Sequence, residues 1–369
     1  MASVTLRAVC KIYNGVRAVN QLSLDIRDGE FLSLLGPPGA GKTSTLKMIA
    51  GIEEVTEGEI LFDGAPMNGV PPYKRDVAMV FESYALYPHL TAYENIAYPL
   101  RERRRGLGLT NDQIDKRVSD TAALLQISAN LRRRPAHLSG GQKQRVALAR
   151  ALVRDPRVFL LDEPIAHLDA RLRHTLRGEL RRIQRKRKTT TIYATPDFLE
   201  AIAMADRIAV LFKGELHQLG TPAEILQRPA TAVVAEFVGD PPMNILPATL
   251  KASPDAPYLE CDGLALPVPA PLRPVLAKGD FSGGVLVGIR PGDIRISQVE
   301  QPQPAFPAIL YVTEHLHRKS ILSLQRAGRL LKANVGTGFE ARIDDKLWVE
   351  FPEDKLCLFD AKTSALLSG

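Results

Sequence analysis

The sequence predicts an α/β domain with an inserted helical subdomain, followed by a small all-β domain of the OB kind. Three observations support this. Residues 1–236 alternate strand-like and helix-like segments, the pattern of a sheet covered by helices. Residues 87–155 are helix-rich and charged, and read as an insertion. Beyond Gly239-Asp240-Pro241-Pro242 prolines become frequent, helical periodicity fades and short strand candidates succeed one another, which places a second domain at 237–369.

In chain order, Val4–Leu6 and Leu22–Ile26 read as early strands, and Phe31–Leu35 as a buried one. Lys42–Ala50 reads as a helix that Gly51 stops. Val158–Leu161 is a short apolar strand ending at Asp162 and Glu163, and Thr190–Thr195 is another. Ile208–Phe212, the Lys213-Gly214 turn and Glu215–Leu219 form a hairpin. In the second domain the strand candidates are Gly284–Ile289, Ala308–Val312, Ile321–Leu324 and Leu347–Phe351.

Composition narrows the class. The 369 residues suffice for two domains. Three scattered cysteines, Cys10, Cys261 and Cys357, show neither a disulfide framework nor zinc spacing, which fits a reducing compartment. There is no leader pattern and no apolar run of about 18 residues, so no spanning segment is expected. The net charge is +7, with basic runs at Arg103–Arg105, Arg132–Arg134 and Arg185–Lys188. No aromatics interleave with them, so they read as solvated faces rather than a nucleic-acid surface. His315 and His317 alternate on one predicted strand, but no further metal ligands accompany them.

The most informative stretch is Gly36-Pro37-Pro38-Gly39-Ala40-Gly41-Lys42-Thr43-Ser44. It follows a strand and opens a helix, the context a phosphate-binding loop requires. Glycines let backbone N–H groups approach a phosphate chain, Lys42 supplies charge to the β- and γ-phosphates, and the Thr43 hydroxyl is placed to ligate Mg²⁺. A second anion site is predicted at Ser139-Gly140-Gly141-Gln142, where a serine and two glycines open another helix. Two phosphate sites for one phosphate chain imply a nucleotide held between two subunits.

With these residues the chain resembles an ATP-binding-cassette (ABC) transporter ATPase. More narrowly, it resembles the ATPase subunit of bacterial carbohydrate importers of the maltose/glycerol-3-phosphate type, over nearly its whole length. Ser139–Gln142 match the ABC signature, Leu160-Leu161-Asp162-Glu163-Pro164 the Walker B strand, and Leu168-Asp169 the D-loop. Ser83-Tyr84-Ala85-Leu86-Tyr87-Pro88-His89 and Tyr93-Glu94-Asn95-Ile96 resemble the stretch that docks transmembrane subunits. Pro241-Pro242-Met243-Asn244 and Gly288-Ile289-Arg290-Pro291 resemble the TOBE domain. The resemblance implies ATP and Mg²⁺ as ligands. It implies that Tyr13 stacks on adenine, that Asp162 binds Mg²⁺ through water, and that Glu163 is the general base. It also implies two permease subunits, an external solute-binding protein acting indirectly, no nucleic acid, and a peripheral place on the cytoplasmic face of the plasma membrane.

Two positions depart from the family. Glu82 stands where the family has the Q-loop glutamine, a further Mg²⁺ ligand, and Pro196 where it has the switch histidine. Pro196 brings neither a side-chain donor nor an N–H. Glu82 keeps an oxygen ligand but adds negative charge. Both altered positions serve this chain's own nucleotide, whereas the unaltered signature serves a partner's. The expectation is therefore a heterodimer with a second ATPase subunit, this chain forming the slow site. The alternatives are a homodimer with attenuated hydrolysis, or a nucleotide-binding regulatory subunit. His167, in the D-loop, reads as a surface histidine, with partial replacement of the lost imidazole as the alternative.

Overall fold

A computed structural model describes residues 2–102, 108–251, 257–278, 284–302 and 304–367; the run Arg103–Arg105 lies outside the described residues. The chain divides into two compact units, Met1–Pro222 and Ala223–Gly369.

The strands of the first unit are β1 (Val4–Tyr13), β2 (Val16–Ile26), β3 (Phe31–Leu35), β4 (Glu57–Phe62), β5 (Ala65–Pro66), β6 (Val77–Val80), β7 (Val158–Asp162), β8 (Thr190–Thr195), β9 (Arg207–Phe212) and β10 (Glu215–Gly220). The central sheet runs β10-β9-β3-β8-β7-β6, and only the β9–β10 hairpin pairing is antiparallel. Side chains alternate between its faces, as a period of two demands. Val158 and Leu160 join a core with β1, β2, β4 and the helix Lys42–Ala50. Phe159 and Leu161 join the core formed with helices Ala92–Glu102, Asn111–Leu124, Gly140–Leu152 and Ala170–Arg187. A parallel sheet covered on both faces explains why β3, β7 and β8 are buried throughout. The two expected early strands are halves of one longer antiparallel hairpin, β1–β2, in a separate sheet ordered β2-β1-β4-β5.

Arg75 fixes the far end of the phosphate-loop helix. Its guanidinium donates to Met48 O (2.8 Å), Ile49 O (3.0 Å) and Val70 O (2.8 Å), satisfying carbonyls the helix leaves orphaned. Gly51 must be glycine here. Its φ is 76°, and a Cβ would sit 2.5 Å from the Arg75 guanidinium.

The second unit contains β11 (Asn244–Lys251), β12 (Tyr258–Cys261), β13 (Leu264–Pro267), β14 (Val285–Ile289), β15 (Arg295–Ser297), β16 (Phe306–His315), β17 (Ser320–Arg326), β18 (Arg329–Val335), β19 (Lys346–Glu350) and β20 (Cys357–Asp360). They form two five-stranded sheets, β13-β12-β11-β14-β20 and β15-β19-β16-β17-β18, around one shared core. Asn244 stitches the two: its side chain donates to Lys332 O (2.9 Å) and accepts from Lys332 N (2.7 Å). This gives the Pro241–Asn244 motif a structural reason.

From Ala223 onward, helix Pro222–Gln227 and helix Ala232–Phe237 belong to this second unit, although the composition change lies later. Ala232 N donates to Ser364 O (2.8 Å) and Leu366 N to Ala230 O (2.9 Å). Ala232 and Ala235 pack with Met243 and Phe359. His317 falls in the turn after β16 rather than on the strand, while His315 meets Ser320 Oγ (3.1 Å). Among the described residues no group of three or more His, Cys, Asp or Glu is placed to hold a metal, and no helix is long and apolar enough to cross a membrane.

Candidate nucleotide site

Strands β3, β8, β7 and β6 are parallel neighbours, so their carboxyl ends open on one edge of the sheet, where α/β proteins place ligands. The loop from Gly36 follows β3, Pro196 follows β8, Asp162 and Glu163 end β7, and Glu82 lies just beyond β6. Chain topology thus gathers residues far apart in sequence.

The loop is shaped by close backbone approach. A Cβ on Gly36 would lie 2.2 Å from Leu211 O, and one on Gly41 2.5 Å from Ala18 O. Gly39 and Gly41 both take positive φ, 80° and 91°. The first helical hydrogen bond that involves the loop is Thr45 N to Gly41 O (2.9 Å). The N–H groups of Lys42, Thr43 and Ser44 precede it, at the helix end that favours anions. Pro37, Pro38 and Ala40 fill the turn, with Ala40 buried. Lys42 is buried and folds back across the loop, donating to Gly36 O (2.8 Å) and Pro37 O (3.1 Å).

Lys42 faces the charges of Glu163, Asp162 and Glu82. Burial pulls its pKa down, and the three carboxylates oppose that. Burial pushes Asp162 up; the Thr43 hydroxyl and Lys42 counteract it, and Glu82 adds to it. Burial likewise raises Glu163, opposed by Lys42 and reinforced by Glu82, Asp162 and Glu200. Thr43 Oγ1 donates to Asp162 Oδ1 (3.1 Å), bringing a hydroxyl and a carboxylate together. Such an oxygen set suits Mg²⁺, which keeps several waters and takes phosphate oxygens, so a full protein cage is not required.

Glu163 is held in an unusual backbone state, φ 44°. Its N–H donates to Ala194 O (3.0 Å), and its carbonyl accepts from Gln144 Nε2 (3.1 Å). The same buried Gln144 accepts from His167 N (3.1 Å), so one side chain joins the signature helix, the Walker B end and the D-loop. Sequence reading gave Gln144 no role, although it stands two residues beyond the Ser139–Gln142 motif. Ser139 caps that helix in a reciprocal capping box with Gln142, leaving Ser139 and Gly140 exposed. His167 is exposed and lies edge-on to Tyr84, ring centroids 5.9 Å apart.

Pro196 is exposed at the end of β8. Beneath it, buried Glu200 accepts from Tyr193 OH (2.8 Å) and Thr195 Oγ1 (2.9 Å), while Asp197 caps the helix Phe198–Met204. The strand end therefore persists without an imidazole. Tyr13 is 37 % exposed, and the Lys11 ammonium lies 4.9 Å from its ring centroid. Lys11 is itself anchored by Glu53 (3.0 Å) and Glu54 O (2.8 Å). One face of the Tyr13 ring thus has a cation over it.

The loop from Tyr84 to Leu90 is held by buried Asn95, whose amide donates to Tyr87 O (3.1 Å), Leu90 O (3.1 Å) and Thr91 O (3.0 Å). Thr91 and Glu94 cap the following helix reciprocally. Beside this loop lies a groove of about 610 Å³, lined in part by Tyr73, Met79, Phe81, Tyr87, Tyr98 and Arg150.

Known proteins share this arrangement. The ABC transporter family model matches residues 19–166, and the MalK OB fold domain matches 239–294. The dimeric, post-hydrolysis structure of the ATP-binding cassette MJ0796 bound to ADP and Pi has a TM-score of 0.56 at 31% identity, covering 59% of this chain and 98% of that one. Fold and loops together define an ABC-type ATPase with an OB-fold domain. The chain is 43% identical to the xylose/arabinose import ATP-binding protein XacK of Haloferax volcanii, over 100% of this chain and 96% of that protein. It is 42% identical to the trehalose/maltose import ATP-binding protein MalK of Thermococcus litoralis (98% and 99%). It is also 42% identical to the sn-glycerol-3-phosphate import ATP-binding protein UgpC of Cereibacter sphaeroides (100% of each). Within the ABC class, the chain belongs to the family of import ATP-binding proteins that carry a MalK-type OB domain.

The charge pattern has a pH consequence. Asp162 and Glu163 hold protons more tightly folded than unfolded, so their ionisation costs stability as pH rises through their raised values. Lys42 has the opposite dependence, costing stability at neutral pH and less above its lowered value. Glu82 opposes two of these ionisations and supports one. Glu82→Gln is therefore expected to raise the thermal midpoint of the nucleotide-free protein near pH 7, with a smaller gain near pH 4. Calorimetry at both values checks this; an equal gain at both, or a loss near pH 7, contradicts it.

Proposed function

We propose that this chain is the ATP-hydrolysing subunit energising import of a carbohydrate, polyol or glycerophosphate, and that it forms the slow half of a heterodimeric ATPase pair. The observation that carries the second part is the pairing of Glu82 and Pro196 with an otherwise complete nucleotide site. Of the site's four strand ends, two hold altered residues, and both face the nucleotide bound by this chain. The signature helix, offered to a partner's nucleotide, retains its Ser139–Gln142 cap.

In this reading ATP lies on the loop Gly36–Ser44, with adenine on the open face of Tyr13. Lys42 leaves its carbonyl partners for the β- and γ-phosphates. Thr43, Asp162 and Glu82 hold Mg²⁺, which neutralises phosphate charge. Glu163, its carboxyl raised by burial, takes the proton of the attacking water. No side chain at 196 fixes the γ-phosphate, and the loss of one preorganised donor slows chemistry by about 10²–10³-fold. ATP closes the dimer, and closure moves two permease subunits seated at the Tyr84–His89 loop on the cytoplasmic face of the membrane. A solute-binding protein outside the cell supplies the solute. Work requires that ATP bind the closed state better than the open one. Nothing in this reading involves nucleic acid.

Pro196→His combined with Glu82→Gln is expected to raise steady-state phosphate release by the purified chain by roughly 10²-fold. An unchanged rate contradicts attenuation by these residues. Tyr13→Ala should weaken ATP binding about tenfold in a fluorescent-nucleotide titration, as loss of base stacking does. Lys11→Met should weaken it in the parent but not further in the Tyr13→Ala background. Equal Lys11→Met effects in both backgrounds would detach Lys11 from the stacking role.

A further inference from the structure

The helix Ala170–Arg187 follows directly on the D-loop and carries an unusual charge load: Arg171, Arg173, Arg177, Arg181, Arg182, Arg185, Lys186 and Arg187, against one acid, Glu179. Several of these cations have internal work. Arg173 donates to Leu168 O (3.2 Å), and Arg187 to Leu152 O (3.0 Å). Arg181 pairs with Asp206, and Arg182 with Glu179 (2.6 Å). Arg177 and Arg185 make no hydrogen bond or ion pair among the described residues. They stand two turns apart on the face that includes Arg181, about 12 Å along the axis. Each is four residues from Arg181, a spacing at which like charges destabilise a helix.

Beside Arg177, and lining a groove with it, is Gly178. It sits mid-helix and exposed, where glycine is among the poorest choices. A Cβ there would meet nothing within 4 Å, so no internal packing calls for the missing side chain. What its absence does is deepen a groove of about 510 Å³, lined by His174, Arg177, Gly178, Arg181, Arg182 and Arg185, with Ala203 from the neighbouring helix. The helix is thus weakened twice at one place, by charge and by glycine, and both weaknesses create a cationic hollow of small-molecule size.

We propose that this hollow binds a small anion bearing more than one phosphate group. Arg177 and Arg185 grip its two ends through bidentate guanidinium–phosphate hydrogen bonds, and Gly178 is the floor that admits it. The site is separate from the nucleotide loop, and its helix begins at Asp169, which caps it in the D-loop.

The test titrates inorganic tripolyphosphate calorimetrically into the full-length protein saturated with ADP, which occupies the nucleotide loop. One saturable event is expected, weakened at least tenfold by Arg177→Ala with Arg185→Ala. Gly178→Leu should weaken it as strongly while raising the thermal midpoint, because leucine improves the helix as it fills the floor. No saturable binding to the parent protein, or parental affinity in Gly178→Leu, overturns the site. Sedimentation with phosphatidylglycerol vesicles but no response to tripolyphosphate overturns it too, by making the face a membrane contact.

Discussion

The nucleotide half of this protein is organised around one ammonium group facing three carboxylates. Lys42 is buried at the start of its helix, and Asp162, Glu163 and Glu82 act on it from two neighbouring strand ends. Burial disfavours the charged form of Lys42, Asp162 and Glu163 alike. The carboxylates raise one another, so a cation bound among them would ease their ionisation. Glu82 adds a further negative charge to this cluster.

The geometry around that centre is kept by side chains outside the recognisable motifs. Gln144 bonds the Glu163 carbonyl and the His167 amide, so the helix Gly140–Leu152, the end of β7 and the turn that follows share one buried amide. Asn95 bonds the carbonyls of Tyr87, Leu90 and Thr91. Tyr84 touches His167, and Arg150 donates to Tyr84 O (3.1 Å). The loop after Glu82 is thus in contact with the turn after Glu163. Buried polar residues of this kind leave few alternative arrangements, since an unpartnered amide inside the protein is costly.

Much of this was legible in the sequence because it is written locally. A buried strand, a glycine-rich turn and a helix occupy consecutive residues, and the hairpin at Lys213-Gly214 announces itself by its turn. The OB-like domain was legible from short strand candidates between prolines. Other features depend on partners distant in sequence. The early strands at 4–6 and 22–26 gave no sign of forming one bulged hairpin, because bulges at positions such as Ala8 interrupt the alternation. The helices at 222–237 look like a continuation of the α/β pattern, and only their bonds to residues near 364–366 place them in the second unit. Gln144, Asn95, Glu200 and Lys11 carry no local mark of their roles. A run of basic residues likewise does not reveal that Arg187 caps carbonyls while Arg185 stays unpaired.

Pro196 and Glu82 are the residues on which the proposed heterodimer rests. Thr195, Glu200 and Asp197 hold the end of β8 in place with a proline at 196. The most direct test of the account is to isolate the assembled transporter from its native membrane through a tag on this chain, identify its ATPase subunits by mass spectrometry, and measure its turnover. The account predicts a second ATPase chain bearing histidine at the switch position, and slow phosphate release when the tagged chain is alone. A complex whose only ATPase is two copies of this chain, hydrolysing ATP briskly, would contradict it.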